Sequence, residues 1–391
     1  MQIQHPIHLN TSQFANHAHD YFAWMRANDP VCRVNFTRFN KAYLITCYDD
    51  VMAVMKDPRV FKNPRWAKQN SESGGMVWMP KNMRLLFSNM LNTDEPDHRR
   101  LRNLAELAPR IEAITHELLD HIQEKRSFEL MTDLAFPLPI RVIAEIIGIP
   151  SEDHAMFRQV TSAIVQNPTP LNLIRAIPSI NRFFKYVRKL ADDRRRDPRN
   201  DLISGLVQVK ENGDQLTEDE LLAMVFLLLV AGHETTVNLI TNGTYALLAP
   251  PDALARLRRT PNLIETAIEE MLRFDGPLIT SEAAYAGEDL TLRGTTIPKG
   301  ALIFSALLSA NRDEDVYPTA NTFDITRTPN KHLAFGHGIH YCLGAPLARM
   351  EARIAFCALL ERLPDLRLAT KDVRFQNVMV VHKMEQLPLA C

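Results

Sequence analysis

A short amphipathic pattern ending near Asn28 predicts a first helix, and the stretches VCRVNF and AYLITCY after it predict two short strands. DDVMAVMKD then predicts a helix. From Asn63 to Asn92 the periodicity fails, yet Trp78, Met79, Met83 and Phe87 make that stretch too apolar for a solvated linker. A long loop of this kind covers a site, or else caps the core. From Asp97 to about Ala249 the pattern is a succession of helices broken at Pro109, Pro137, Pro150, Pro168 and Pro198. The charged run DDRRRD, Asp192 to Asp197, reads as a solvated helix end. Strand-like runs return from Leu278 to Ile297 and in VRFQNVMVVHKMEQLPL, bounded by turn residues. No repeat, low-complexity tract or linker divides the chain, so residues 1–391 are expected to form a single, mainly α domain with a minor β-sheet.

Composition narrows the function classes. Hydrophobic residues make up 46% of the 391, enough for a large buried core, and the formal net charge of -1 offers no basic field for nucleic acid. Five cysteines stand singly, an odd count without CxxC pairs that suits a reducing compartment, and a cytoplasmic protein is expected. The opening MQIQHPIHLNTSQFANHAHDYFAWM has neither a charged leader nor an apolar core. The apolar run Leu221 to Gly232 falls short of the roughly 20 residues that span a bilayer, so it predicts a buried helix and no membrane partner.

Three groups of residues carry candidate chemistry. A long helix should begin at the capping box Thr217-x-x-Glu220 and run to the prolines at 250 and 251. Its apolar middle contains Gly232, His233, Glu234, Thr235 and Thr236, costly residues there unless their polarity has a use. A threonine hydroxyl bonding back one turn can open such a helix and leave room for a small ligand; a polar face meeting solvent midway is the plainer reading. ETAIEEMLRFDGP places Glu270 and Arg273 on one helix face, and TDEPDHRRLR places His98 and Arg102 one turn apart, both able to donate to carboxylates. In FGHGIHYCLG, Phe335 to Gly344, three glycines, two histidines and a cysteine crowd together. Cys342 precedes a helix with Pro346 in its first turn, where free amides favour thiolate and lower the thiol pKa. Gly336, Gly338 and Gly344 let the backbone approach something flat or bulky. The residues alone leave four readings: a zinc site with His337 and His340, a nucleophile, an inert buried thiol, or a thiolate ligand of haem iron.

FGHGIHYCLG resembles the haem-binding loop of the cytochrome P-450 family, matching F-G-x-G-x-H-x-C-x-G at every fixed position. AGHETT resembles that family's A-G-x-[DE]-T-[ST] segment, and Glu270 with Arg273 its E-x-x-R pair. The resemblance implies a haem-thiolate monooxygenase fold with haem b, iron protoporphyrin IX, between the long central helix and the cysteine loop. Cys342 would be the axial ligand, with Phe335 beside the sulfur and Gly344 in the cofactor loop; His340, His98 and Arg102 would hold the propionates. Glu234 would be the acid and Thr235 the alcohol that deliver protons during dioxygen activation, and Glu270 and Arg273 a structural brace, with Glu269 as an outside competitor for the arginine.

The implied reaction inserts one atom of O2 into a small apolar organic substrate, with electrons from a separate ferredoxin and ferredoxin reductase. A peroxide-using peroxygenase and a non-enzymatic haem-binding sensor are the rival readings. Expected pocket residues are Trp78, Met79, Met83 and Phe87 in the long loop and Val230 and Ala231 on the central helix. Leu278 and Ile279 after the brace helix, and Met384 near the terminus, complete that expectation. A basic docking patch is expected at Arg99, Arg100 and Arg349. The chain departs from the family pattern at Ala283 and Ala284, where an arginine often holds a propionate. It departs again at Thr322, which replaces the arginine completing the brace, with Arg327 a possible substitute; the segment after Arg102 is also a few residues short.

Overall fold

The computed structural model describes residues 3, 6–36, 41–62, 104–150, 153–154, 170–208, 216–250, 252–378 and 380–391. Trp78, Met79, Met83, Phe87, His98, Arg99, Arg100 and Arg102 lie outside the described residues. The long helices, numbered along the chain, are α1 (Ala18–Asn28), α2 (Tyr48–Lys56), α3 (Leu104–Gln123) and α4 (Pro137–Ile147). They continue with α5 (Pro170–Arg196), α6 (Glu218–Leu248), α7 (Ile264–Asp275) and α8 (Ala345–Arg362).

Helix α6 organises the rest. Its start is fixed by the capping box: the Thr217 hydroxyl accepts the Glu220 amide at 3.2 Å, and the Glu220 carboxylate accepts the Thr217 amide at 2.8 Å. Its 31 residues pack against α4, α5, α7 and α8, which buries nearly all sides. With a mean hydropathy of 1.6 over its most apolar window α6 is long and apolar enough to cross a bilayer, but 67% of that window is buried inside the protein. Apolar residues all round are what a core helix requires.

One helix interior and one helix end show how tertiary contacts rewrite local expectations. Pro109 lies inside α3 rather than breaking it. The buried residues Ile111, Ile114, Leu118, Leu119 and Ile122 of that helix join the core shared with α8, and their packing outweighs a proline penalty of about 3 kcal/mol. At the end of α4, Gly148 turns left-handed with φ +91°. Its carbonyl accepts from Arg194 at 3.0 Å, and Arg194 also pairs with Asp201. Arg194 is therefore buried, and the run DDRRRD is not wholly a solvated helix end.

The larger sheet has the order β1-β2-β8-β5-β3, from β1 (Val31–Asn35), β2 (Lys41–Ile45), β3 (Val60–Phe61), β5 (Ala284–Ala286) and β8 (Leu302–Ser305). β1 and β2 form the expected antiparallel pair, with Val31 opposite Ile45, and β2 runs parallel to β8. A second sheet joins β4 (Ser127–Glu129), β10 (Pro388–Ala390) and β9 (Arg367–Leu368), and β6 (Leu290–Leu292) pairs with β7 (Thr295–Ile297). Among the described residues, the strand-like C-terminal run forms β10 and isolated bridges such as Leu278 to Val381. Its backbone groups are taken by irregular partners: the Ile279 amide donates to Val380 and the His382 amide to Pro277.

Candidate active site

The cysteine loop is shaped by glycine. Gly336 and Gly338 adopt φ of +72° and +76°, and a Cβ on Gly338 would sit 3.3 Å from the Met55 carbonyl of α2. Gly338–His340 forms a single 3-10 turn with His340 half-buried, and the Cys342 amide closes the loop on the Phe335 carbonyl at 2.9 Å. Gly344 caps α8, and the amides of Gly344 and Ala345 donate to the Cys342 sulfur. Unlike buried Cys32 and Cys47, Cys342 is reached by solvent. The surrounding protein nonetheless raises its thiol pKa, the two amides pull it down, and nearby Glu282 opposes the thiolate. The helix terminus therefore lowers the pKa less than expected, because desolvation is the larger effect. Among the described residues, His337, His340 and Cys342 do not converge as metal ligands, which removes the zinc reading of this loop.

The middle of α6 is open on one side. Ala231 is exposed and Val230, Gly232 and Thr235 are half-buried, although the helix is buried before and after them. The Thr235 hydroxyl donates to the Ala231 carbonyl at 2.7 Å and that of Thr236 to Gly232 at 3.2 Å, as the sequence predicts. The helix nevertheless continues without a break from Glu218 to Leu248. His233 and Glu234 turn inward. His233 lies edge-on to Phe136 at 4.9 Å, with neither ring nitrogen bonded, and burial and then Lys383 push its pKa down to about 3. Glu234 accepts from Lys383 at 2.8 Å, and both side chains are 6% exposed. Lys383 is a partner that sequence reasoning missed, since nothing in the run VVHKMEQ marks one lysine as inward.

The brace is complete, and larger than a pair. Arg273 meets both carboxylate oxygens of Glu270 at 2.7 and 2.8 Å with both side chains fully buried. Arg327 adds a second guanidinium at 3.1 Å, taking the place of the arginine missing at Thr322, whose carbonyl accepts from Arg273 instead. Arg273 also donates to the carbonyls of Asn311 and Ala320, and Asn311 accepts the Leu333 amide, so the brace reaches the start of the cysteine loop. Glu269 does not compete for Arg273. Arg349 and His332 clasp it at 2.6 and 3.0 Å. Burial alone would raise its pKa, but these partners outweigh it and hold Glu269 down at about 2. Arg349, whose guanidinium also lies 4.5 Å above the Phe335 ring, stays charged but has its charge compensated by Glu269.

Two pocket expectations are corrected. Ile279 is 2% exposed in the core formed by Phe14, Phe22 and Phe304, and Met384 is fully buried in the core beneath α3 and α8. Ile279 packs among the apolar residues of the N-terminal core and Met384 among those of the core shared by α3 and α8, so packing claims both side chains. Leu278 stays half-buried. Ala284 begins β5, and beside it Lys62 pairs with Glu282 at 2.9 Å, placing a cation near the missing arginine that the sequence pattern did not reveal.

The family model for cytochrome P450 matches residues 174–260 and 262–376. The cytochrome P450 monooxygenase PikC of Streptomyces venezuelae is 42% identical over 393 residues, covering 96% of this chain and 91% of that protein. The vitamin D(3) 25-hydroxylase of Pseudonocardia autotrophica is 37% identical over 399 residues, covering 99% and 96%. Among solved structures, the bacillaene polyketide synthase cytochrome P450 PksS of Bacillus subtilis 168 aligns with a TM-score of 0.89 at 38% identity, covering 98% of this chain and 99% of that one.

Proposed function

The chain belongs to the cytochrome P450 family, and from that premise we propose which of its residues carry out the work of a haem-thiolate monooxygenase acting on an organic substrate. The single observation that carries the assignment is the solvent-reached Cys342 thiol, held by the amides of Gly344 and Ala345 at the start of α8. That donor set fits haem: one soft ligand whose proton is easily displaced by a metal, on a loop whose glycines let a planar group approach. Haem iron bound there supplies the redox chemistry that activates O2. In the overall balance, O2, a substrate C–H bond, two electrons and two protons become an alcohol and water.

The protein's own part is to bind, orient and move protons. Cys342 would hold haem b, with Phe335 and Gly344 against it and His340, His98 and Arg102 donating to its propionates. Thr235 gives its own proton to Ala231, so its oxygen lone pairs are left to accept a hydrogen bond on the open face of α6. Glu234 accepts from Lys383 on the buried side; when that pair loosens, its carboxylate would first take up a proton from solvent and then relay it toward Thr235. Val230, Ala231 and Leu278, with Trp78, Met79, Met83 and Phe87, would line the apolar pocket. We read residues 1–391 as one domain in the cytoplasm, where the free cysteines stay reduced, served by a ferredoxin and its reductase.

The test has two readouts. Reduced protein under carbon monoxide should show the red-shifted Soret band of a thiolate complex, lost in Cys342→Ala and kept in Cys357→Ala. Thr235→Ala should retain that band but divert electrons from product into hydrogen peroxide, while peroxide-driven turnover changes little. Turnover with peroxide alone, indifferent to Thr235→Ala, would identify a peroxygenase instead.

A further inference from the structure

We propose that this protein carries a metal site separate from the cysteine loop, for a divalent transition-metal ion of the zinc class, at His19, Asp275 and His382. The three residues come from α1, the last position of α7 and the C-terminal stretch. Their ligand atoms all lie within 4.8 Å of one another, and both imidazole Nε2 atoms point at one carboxylate oxygen, at 3.0 Å from His19 and 2.9 Å from His382. Two imidazoles and one carboxylate are a donor set that suits zinc, nickel or iron and leaves a position open to water. With bonds of about 2.0–2.1 Å, a tetrahedral site has ligand separations of about 3.3 Å, so each imidazole nitrogen needs to part from the carboxylate oxygen by only a few tenths of an ångström, while the two nitrogens already lie within 4.8 Å of each other.

The ligands are already held in place. The His382 ring stacks on Phe375 at 4.1 Å and 8°, and its amide donates to the Pro277 carbonyl at 2.9 Å. Asn242 of α6 bridges the other two sides, donating to the carbonyls of His382 at 2.9 Å and Asp275 at 3.2 Å. Asp275 and His382 are buried, whereas the His19 side chain is 29% exposed and gives an ion its way in. Without a metal, each histidine donates its Nε2 proton to Asp275; when Nε2 becomes a ligand, that proton moves to Nδ1. For His382 the shift breaks no bond at Nδ1, which is buried without a partner. One group opposes the ion: Arg312 stands 4.0 Å from the same carboxylate oxygen. Its guanidinium lies 3.7 Å over the Phe274 ring and donates to the Phe274 carbonyl, so it is fixed there, and the site should bind more weakly than a structural zinc centre. An ion at this place would tie α1 to the end of the brace helix and to the residue next to Lys383, the partner of Glu234.

Zinc chloride titrated into the full-length, haem-loaded protein, first stripped with a chelator, against a chromophoric zinc indicator is the direct test. Wild type should take up one equivalent in the micromolar range, with a rise in melting temperature. The zinc-edge X-ray absorption spectrum should show two imidazole nitrogens. His19→Ala, which alters a partly exposed side chain and should keep its Soret spectrum, should bind at least tenfold more weakly and lose the thermal shift, as should His382→Gln. Equal uptake by wild type and His19→Ala, or no uptake by a wild type that retains haem, would mean a hydrogen-bonded cluster only and overturn the proposal.

Discussion

At the scale of single residues, the energetic weight lies on buried charge. Glu351 on α8 is 1% exposed and one of its carboxylate oxygens has no partner, so burial pushes its pKa up to about 8. In the unfolded chain that carboxyl ionises near 4.3. Between those values the folded state keeps a proton that the unfolded state has lost, and stability falls as pH rises across the window. Glu351→Gln should therefore melt several degrees above wild type at pH 7.5, with the gap closing near pH 4.5; a gap independent of pH would refute this account. Lys383 has the opposite character. Lys383→Met leaves the Glu234 carboxylate buried without its cation, a change that costs about 3–5 kcal/mol, and Lys383→Arg should restore most of it in a denaturant melt.

At the scale of elements, close approach of helices decides more than propensity. Gly243 sits where α6 meets α7 and α8: a Cβ there would lie 2.8 Å from Met271 Sδ and 3.0 Å from Phe356 Cζ. Met271 can shift, but the Phe356 ring is 1% exposed and locked in the core. Gly243→Val should thus destabilise by about 1–3 kcal/mol through overpacking while leaving the thiolate spectrum of surviving protein unchanged. A Gly243→Val protein as stable as wild type would show that the helices are free to separate.

At the scale of the whole molecule, partner docking is the open electrostatic question. The large hydrophobic side chains exposed among the described residues are Ile339 at 58% and Tyr341 at 43%, both in the cysteine loop. With Arg349 already paired to Glu269, these two side chains are expected to offer an electron-transfer partner an apolar contact. Ile339→Ser should slow electron transfer from a ferredoxin at every ionic strength. Raising salt to 0.1 M and beyond, where screening acts within about 10 Å, should slow wild type and the variant by the same factor. Stopped-flow reduction under carbon monoxide measures both; an Ile339→Ser protein reduced as fast as wild type would place the partner elsewhere.

What the sequence determined by itself is local. The Thr217 and Glu220 cap, the Thr235 back-bond, the Glu270 and Arg273 pair and the turn before Cys342 all join residues at most four positions apart, or one short loop, where helix geometry settles which atoms meet. The family motifs were legible for the same reason. The tertiary structure alone decided the pairing of Lys383 with Glu234, 149 positions apart, and of Arg349 with Glu269, 80 apart. It alone brought His19 and His382 to Asp275 across 256 and 107 positions, and sent Ile279 and Met384 into the core. Charged side chains look alike along a sequence. Which of them is buried depends on how helices pack, and burial is what turns an ordinary lysine or histidine into a partner that its neighbour cannot do without.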